Sequence, residues 1–449
     1  MITWSLVDPF PEEFDRELVF FGVVRDYERM TVLLVHVPVG FEEAYPLALA
    51  ALAAPLRTAG YSVEGLDAAR CGHQGLADRL ARGDIQWVGI SVWSPALDTC
   101  KRLIETCRRV DPDIPVIVGG PHVTLRPDAL DADCAVIGEG EQAAVEIADR
   151  LAAGQSLPKV WKRSHPLDLD NLPMPDREVF AAADYHRDHL PHGRRYASMV
   201  TSRGCRYRCA YCSAPSIWGK GHRRMSPARV VAEFAQLQSS YGIDGVLIED
   251  DLFNQDRVHV EGVCDALLRS DLGMTWELLN GVRPDHLDPR LIRLMARAGL
   301  TRLALSLETA SRKQLRKMGR SDDLEHVKSI VKEANDAGVG VTGYFMVGLP
   351  GETRSDRLRT FRWARSLRLG MAHFSVASAW PGTRWSTSEL TDVPSWERSA
   401  LYGAWYLNPR AAFRAARMLG VGIHDLPEMA HRLANWMDKP LEARRVESL

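Results

Sequence analysis

The chain has 449 residues, of which 46% are hydrophobic, and its 56 basic residues nearly balance its 58 acidic ones, for a net charge of −2. This length predicts two or three domains with separate cores, and the near-neutral charge gives no electrostatic reason to expect nucleic acid or an anionic membrane as a partner. No apolar run reaches the roughly 18 to 20 residues of a membrane span, and the acidic start "MITWSLVDPFPEEF" lacks a signal-peptide layout. We therefore expect a cytoplasmic protein that acts on a small molecule.

After an N-terminal extension at residues 1–29, short apolar runs alternate with helical stretches. The run "TVLLVHVP" predicts a buried strand, "YPLALAALAAPLRTAG" a helix that ends at Gly60, and "YSVEGLD" a second strand. The alternation continues to about Gly154. It predicts an α/β fold over residues 30–160, in which helices cover both faces of a doubly wound, Rossmann-like parallel sheet.

Residues 161–195 carry prolines and charges without sustained periodicity, which predicts a linker packed across a domain boundary. A second alternating series follows, with strand candidates at residues 197–202, 245–250, 275–280, 302–308, 340–348 and 373–379. Six strand and helix units are fewer than the eight of a closed barrel, so residues 196–392 are predicted to form a partial barrel. Residues 393–449 are predicted to be a short helical tail. In such a barrel, functional residues lie at the carboxyl ends of the strands.

Three of the eight cysteines cluster in "TSRGCRYRCAYCSAPS", as Cys205, Cys209 and Cys212. The scattered cysteines are predicted to be small buried apolar residues. A structural zinc site normally closes with four ligands, and no fourth ligand stands nearby. A [4Fe–4S] cluster held by three thiolates leaves one iron open for a substrate or cofactor. The triplet also follows a predicted strand directly, which places it on the catalytic face of a barrel.

The spacing Cys-x3-Cys-x2-Cys, with the aromatic Tyr211 before the last cysteine, resembles the signature of the radical S-adenosylmethionine (SAM) superfamily. The resemblance implies that a [4Fe–4S] cluster binds SAM through its open iron and cleaves it to methionine and a 5′-deoxyadenosyl radical. An external electron donor, of flavodoxin or ferredoxin type or a reductase, is implied as a partner. Zinc, inert cysteines and a non-catalytic module with a structural metal are the alternatives.

The resemblance extends to the predicted strand ends downstream. Each of these residues alone is weak evidence, because buried acids and strand glycines are commonly structural. Their order along the strand ends implies a role in binding SAM for Tyr211, Glu249, Asp250, Asp251, Arg283, Ser306, Glu308, Gly343 and Gly348.

The first domain resembles the cobalamin-binding domain of the B12-dependent class of these enzymes, through "VGISVWSP", "VGGPHVT" and "IGEGE". The resemblance implies that Gly119, Gly120 and Gly138 let the backbone approach the cofactor. The Asp-x-His-x-x-Gly motif for a lower cobalt ligand is absent. Trp93 and Phe41 are bulky at strand ends, where they would stack on the ligand or fill its site. A domain that keeps the fold without the cofactor is the alternative.

These resemblances imply hydrogen abstraction from an unactivated carbon of a polar, antibiotic-type natural product. With cobalamin bound, C-methylation is the expected outcome. Without it, the expected reaction is radical dehydration and deoxygenation of a diol in an aminoglycoside-type sugar. A methylthiotransferase would need a second cluster in the first domain, and the four cysteines there make no convincing ligand set. Tail aromatics are assigned to the core or to substrate binding: Trp380, Trp385, Trp396, Tyr402, Trp405 and Tyr406.

Overall fold

The structure is a computed structural model that describes residues 31–37, 45–162, 165–181, 185, 195–219 and 221–419. The predicted extension at 1–29, the bulky Phe41 and the end of the predicted tail lie outside the described residues.

The first sheet has six strands, all parallel, in the order β2-β1-β3-β4-β5-β6. Its elements are β1 (Thr31–His36), α1 (Leu47–Thr58), β2 (Ser62–Asp67), α2 (Ala68–Leu80), β3 (Ile85–Ser91), α3 (Leu97–Val110), β4 (Val116–Gly119), α4 (Pro121–Leu125), β5 (Cys134–Ile137), α5 (Glu141–Ala152) and β6 (Val160–Lys162). The apolar run of β1 is buried because helices cover both faces of the sheet, with a separate core on each face. The doubly wound prediction is confirmed.

The second sheet has six parallel strands in the order β14-β13-β12-β11-β10-β7, and a two-stranded ribbon pairs β8 with β9. Its elements are β7 (Tyr196–Met199), β8 (Ser202–Arg203), α6 (Ala214–Trp218), β9 (Arg223–Arg224), α7 (Pro227–Tyr241), β10 (Gly245–Ile248), α8 (Arg257–Ser270), β11 (Thr275–Val282), α9 (Pro289–Arg297), β12 (Leu300–Glu308), α10 (Arg312–Met318), α11 (Leu324–Asp336), β13 (Gly340–Val347), α12 (Arg354–Ser366), β14 (Met371–Val376), α13 (Ser395–Tyr406) and α14 (Pro409–Leu419). Among the described residues β7 and β14 do not pair, so the barrel is open, as predicted.

The segment between the two sheets packs against both cores. Leu169 is buried in the core of the barrel, whereas Val179 and Phe180 are buried in the core of the first domain. Arg177 donates hydrogen bonds to the Ser198 carbonyl at 2.8 Å and to the Glu233 carboxylate at 2.9 Å. This packing supports the predicted position of the segment across the boundary, although its first residues form the edge strand β6.

A cluster of buried charges joins the two domains. Arg203 of β8 donates to the Glu139 carboxylate at 2.7 Å and to the Glu141 carboxylate at 2.5 Å, and Arg223 of β9 lies 3.0 Å from Glu139. The side chains of Arg203, Glu139 and Glu141 are only 11%, 9% and 7% exposed. Because buried ion pairs tolerate little change in geometry, this cluster sets the orientation of the "IGEGE" loop against the barrel.

We expect Arg203→Gln to destabilise the protein by about 3 kcal/mol, since the largely buried Glu141 carboxylate loses its counter-charge and Glu139 keeps the charge of Arg223 but loses that of Arg203. Chemical denaturation at neutral pH measures this loss. Arg126→Gln is the matched control, because Arg126 and its partner Asp128 are solvent-exposed and such pairs contribute less than about 1 kcal/mol. Equal effects of the two changes would contradict a buried cluster.

The pH dependence of the stability of the wild type and of Arg203→Gln provides a second test. Burial raises the pKa of Glu139, but the Leu167 N–H and the Arg203 guanidinium overcome this effect and hold the pKa below its usual value. A carboxyl whose folded pKa is depressed stabilises the protein above its unfolded pKa and loses this contribution as the pH falls. The stability difference between the wild type and Arg203→Gln should therefore narrow below about pH 4.

Candidate active site

The three clustered cysteines lie on the loop that leaves the carboxyl end of β7. All three are half-buried, and a turn brings the Cys212 N–H to within 3.1 Å of the Cys209 carbonyl. The ribbon of β8 and β9 brackets this loop, and the short helix α6 follows it. At Gly204 the backbone φ is +89° and an added Cβ would lie 2.5 Å from the Gly221 carbonyl, so this turn requires glycine.

The carboxylate of Asp250, just beyond β10, holds the start of the cysteine loop. It accepts hydrogen bonds from the Thr201 N–H at 2.6 Å, the Thr201 hydroxyl at 2.7 Å and the Ser202 hydroxyl at 2.5 Å. Burial raises the pKa of Asp250 to about 6, although these hydrogen bonds oppose the shift. Because three protein groups donate to its carboxylate, Asp250 holds the start of the cysteine loop in place. Its predicted contact with SAM stays a prediction.

Two further side chains of the loop after β10 hold the segment between Arg203 and Tyr207. Asp251 accepts from the Gly204 N–H at 2.9 Å. Gln255 accepts from the Arg206 N–H at 3.0 Å and donates to the Gly204 carbonyl at 2.8 Å. The sequence analysis missed Gln255, because a single glutamine in the loop beyond a strand carries no signal of its partner.

The three cysteines of this loop match the three thiolates that hold a [4Fe–4S] cluster with one open iron. Within the described ranges, no three or more His, Cys, Asp or Glu side chains converge to hold a single metal ion. A zinc ion would need its thiolates about 2.3 Å away, whereas a four-iron cluster distributes three thiolates over three irons. Burial raises the pKa of Cys205 and raises that of Cys212 to about 11, and metal binding releases the proton of such a thiol ligand.

A hydrogen-bonded network adjoins the loop at the carboxyl end of β12. Glu308 has a φ of +62°, which is rare for a residue with a side chain and is typical of functional sites. Its carboxylate accepts from the Tyr211 hydroxyl at 2.6 Å and lies 4.0 Å from Arg320, and Arg320 also donates to the Ser306 carbonyl. Burial, and after it the Glu308 charge, raises the pKa of Tyr211 well above its usual value, so the phenol stays protonated. Sequence analysis missed Arg320.

Polar side chains line the inner face of the partial barrel. Val246 and Ile248 belong to the core beneath the helices, so Glu249 faces the opposite, inner side. The Ser198 hydroxyl donates to Glu249 at 2.7 Å, and the Asn280 amide donates to the Asp250 carbonyl at 2.8 Å.

The predicted glycines of β13 are explained by packing. An added Cβ at Gly343 would lie 2.7 Å from the Leu369 side chain, and one at Gly348 would lie 2.8 Å from the Thr391 carbonyl. Gly348 also has a φ of +83°, and its carbonyl accepts a hydrogen bond from the Thr391 N–H at 3.1 Å. Their predicted role toward SAM stays a prediction, because the protein itself occupies the side on which a side chain would stand.

The glycines of the first domain lie at the carboxyl ends of β4 and β5, next to the crevice where the strand order reverses between β1 and β3. Gly138 has a φ of +86° and nothing within 4 Å of an added Cβ, so the space before it is open. An added Cβ at Gly120 would lie 3.0 Å from the backbone of Val92, whereas one at Gly119 would make only ordinary contacts. Trp93 is 48% exposed just beyond the carboxyl end of β3.

The predicted tail aromatics separate into different roles. Trp385 is buried, with its ring centre 5.7 Å from that of Tyr211, and the Gly382 carbonyl accepts from the Ser216 hydroxyl at 2.7 Å. The loop after β14 therefore covers the cysteine loop. Tyr402 and Trp405 are buried in the barrel core, whereas Trp396 is exposed.

A cavity of about 420 Å³ lies away from this site, beside the amino end of β7, where Arg195, Tyr196 and Gly242 line it together with Tyr45 and Arg177. Because the strands are parallel, this end lies opposite the cysteine loop. The cavity therefore lies toward the end of the barrel opposite the cysteine loop, although Ser198, whose hydroxyl donates to Glu249, also lines it.

The fold and the site define an α/β enzyme with a cysteine loop at the mouth of a partial barrel. Residues 199–364 match the radical SAM superfamily and residues 36–148 match the B12 binding domain. The chain therefore belongs to the radical SAM superfamily, in the class with an N-terminal B12-binding domain, and is a radical SAM enzyme. The cofactors of these families are a [4Fe–4S] cluster, SAM and cobalamin.

Similar proteins include enzymes named as methyltransferases. The chain is 28% identical to an uncharacterized methyltransferase of Pyrococcus horikoshii, over 76% of this chain and 77% of that protein. It is 26% identical to the cytidylyl-2-hydroxyethylphosphonate methyltransferase of Streptomyces wedmorensis, over 74% and 76%. Its fold resembles the radical SAM methyltransferase TsrM of Kitasatospora setae, with a TM-score of 0.66, 21% identity and coverage of 80% and 74%.

We expect Cys205→Ala, Cys209→Ala and Cys212→Ala each to abolish cluster binding and the reductive cleavage of SAM, because each removes one of three thiolate ligands. Cluster binding is measured as the iron and sulfide content after anaerobic reconstitution, and SAM cleavage as the yield of 5′-deoxyadenosine. Cys71→Ser is the control, since Cys71 is exposed in the first domain. A triplet variant that still releases 5′-deoxyadenosine would remove that cysteine from the ligand set.

We expect Asp250→Ala to lower iron retention, because it leaves the Thr201 N–H and two hydroxyls without their acceptor. Asp250→Asn should retain iron, since the amide oxygen still accepts from the Thr201 N–H. The folded pKa of about 6 exceeds the unfolded pKa, so between about pH 4 and 6 the folded wild type binds more protons. Denaturation across this range should show the wild type losing stability relative to Asp250→Asn as the pH rises.

Proposed function

We propose that this enzyme is a cobalamin-dependent radical SAM methyltransferase that methylates an unactivated carbon of a polar natural product. The observation that carries the proposal is the ion cluster of Arg203, Glu139 and Glu141, which ties the "IGEGE" loop of the B12-binding domain to the cysteine loop of the barrel. A methyl donor and a hydrogen-abstracting radical must reach the same carbon. Cofactors beside these two loops would meet that requirement.

When bound, cobalamin would supply the methyl group, and the cluster would supply the electron that cleaves SAM to give the radical. The chain positions and protects these groups. Cys205, Cys209 and Cys212 are proposed to bind the cluster, and Glu308, fixed by Tyr211 and near Arg320, is proposed to bind SAM. Trp385 packs on Tyr211 and limits access of water to the site.

The inner face of the barrel supports a polar substrate. Ser198, Glu249, Ser306 and Tyr344 lie there, and the Tyr344 hydroxyl donates to the Leu279 carbonyl at 2.6 Å. These hydroxyls and the carboxylate make this face polar, and a polar substrate can form further hydrogen bonds with such groups, whereas an apolar substrate would only remove them from water. The polar cytidylyl-2-hydroxyethylphosphonate named for one relative fits the same chemistry. We propose an antibiotic-type natural product as the substrate.

We also propose a cytoplasmic location and an external donor of flavodoxin or ferredoxin type, or a reductase. Within the described residues no helix is long and apolar enough to cross a membrane. The cysteines outside the triplet are free, and Cys100, Cys107, Cys134 and Cys264 are buried. The domain limits at 30–160, 161–195, 196–392 and 393–449 likewise stay proposals.

Cobalamin binding is tested by incubating the protein with hydroxocobalamin, desalting it and recording the corrin spectrum. We expect stoichiometric retention by the wild type and by Gly138→Asn, because asparagine tolerates a positive φ. Gly138→Phe should lose retention, since its ring enters the open space before this glycine. A protein that cleaves SAM yet retains no corrin removes the methyltransferase proposal and leaves the deoxygenation of a diol.

A further inference from the structure

Arg283, at the carboxyl end of β11, points at a predicted ligand of the cluster. Its Nη1 atom lies 3.7 Å from the Sγ atom of Cys209, within hydrogen-bonding distance for sulfur. The sequence analysis assigned Arg283 to SAM, because it follows a strand end. The contact with Cys209 instead directs the guanidinium at the thiolate.

The guanidinium is held in this position from several sides. Asp285 accepts from its Nε at 3.1 Å and from its Nη2 at 2.8 Å, on the side away from the sulfur contact. The ring of Tyr207, between the first two cysteines, lies with its centre 4.0 Å from the guanidinium carbon, and the Tyr207 hydroxyl bonds to His286.

The backbone of Arg283 is clamped as well. The Asn254 amide donates to the Arg283 carbonyl at 2.7 Å and accepts from the Arg283 N–H at 3.2 Å. Arg283 as a whole is only 4% exposed. A guanidinium stays charged at any physiological pH, so this is a permanent positive charge beside the cysteine loop.

A fixed positive charge at this place affects electron transfer. When a [4Fe–4S] cluster accepts one electron from an external reductant, its charge becomes more negative by one. A positive charge and an N–H donor at a ligand sulfur stabilise this reduced form, and such contacts set cluster potentials. Asp285 offsets part of the charge, but the ion pair presents its positive end to the sulfur.

We propose that Arg283 is a positioning residue that acts through Cys209, by raising the reduction potential of the cluster so that the donor can reduce it. The proposal rests on the radical SAM function. The ion pair of Arg283 and Asp285 thus influences how readily the cluster accepts the electron that starts the reaction.

The test is a redox titration of the reconstituted full-length protein with dithionite, followed by electron paramagnetic resonance, without SAM, cobalamin or substrate. Arg283→Gln should shift the midpoint to a more negative value, with at least a tenfold lower ratio of reduced to oxidised cluster at a fixed potential, equal to about 59 mV for one electron. Arg283→Lys should show a smaller shift, since it keeps the charge but loses the fork of donors. Arg293→Gln, on the exposed face of α9, is the control for loss of charge and should leave the midpoint unchanged.

A second variant keeps the test decisive if Arg283→Gln does not take up iron. Asp285→Asn leaves the guanidinium uncompensated and should shift the midpoint to a more positive value, opposite in sign to Arg283→Lys. Unchanged midpoints in iron-loaded Arg283→Lys and Asp285→Asn, or shifts of the same sign, would overturn the proposal. A wild type that binds no iron would instead contradict the cluster itself, which separates the two failures.

Discussion

The buried charge of Arg203 is the constraint on which the relation of the two domains depends. Its guanidinium lies between Glu139 and Glu141 of the first domain, while its backbone belongs to the ribbon that begins the cysteine loop. A buried ion pair adds little net stability, because desolvation offsets the attraction, but it penalises every other arrangement of its partners. The same carboxylates therefore hold the glycine loop of one domain against the metal-binding loop of the other.

A second set of polar contacts holds the cysteine loop itself. Asp250, Asp251 and Gln255 all extend from the loop after β10 and bond to the backbone or hydroxyls of the loop after β7. Parallel neighbouring strands place their carboxyl ends side by side, so one loop supports the next. These contacts hold the start of the loop that carries the three thiols. Arg283, from the following strand, brings its charge to the same place.

The fold was predictable from the sequence because its signals are local and repeated. Runs such as "TVLLVHVP" are apolar throughout, since both faces of a parallel strand are buried, and helices with one apolar face separate them. The cysteine spacing is local too, and it identified the candidate cluster. The roles of single acids and glycines were harder to predict from the sequence. Gly343 and Gly348 fit a pattern of strand glycines, but their neighbours Leu369 and Thr391 show a packing role.

The sequence by itself determined two α/β domains, an open barrel of six strands and a loop of three cysteines, because periodicity and spacing extend over short stretches of chain. Only the tertiary structure decided which partners meet. Glu139 and Arg203 are 64 residues apart, and Arg283 and Cys209 are 74 residues apart. Contacts of this kind depend on how strands are ordered and which loops adjoin, and no local pattern encodes them. For the same reason, only the structure shows that Asp250 supports the cysteine loop and that Arg283 reaches a thiol, while the contacts with SAM that the sequence predicts for both stay predictions.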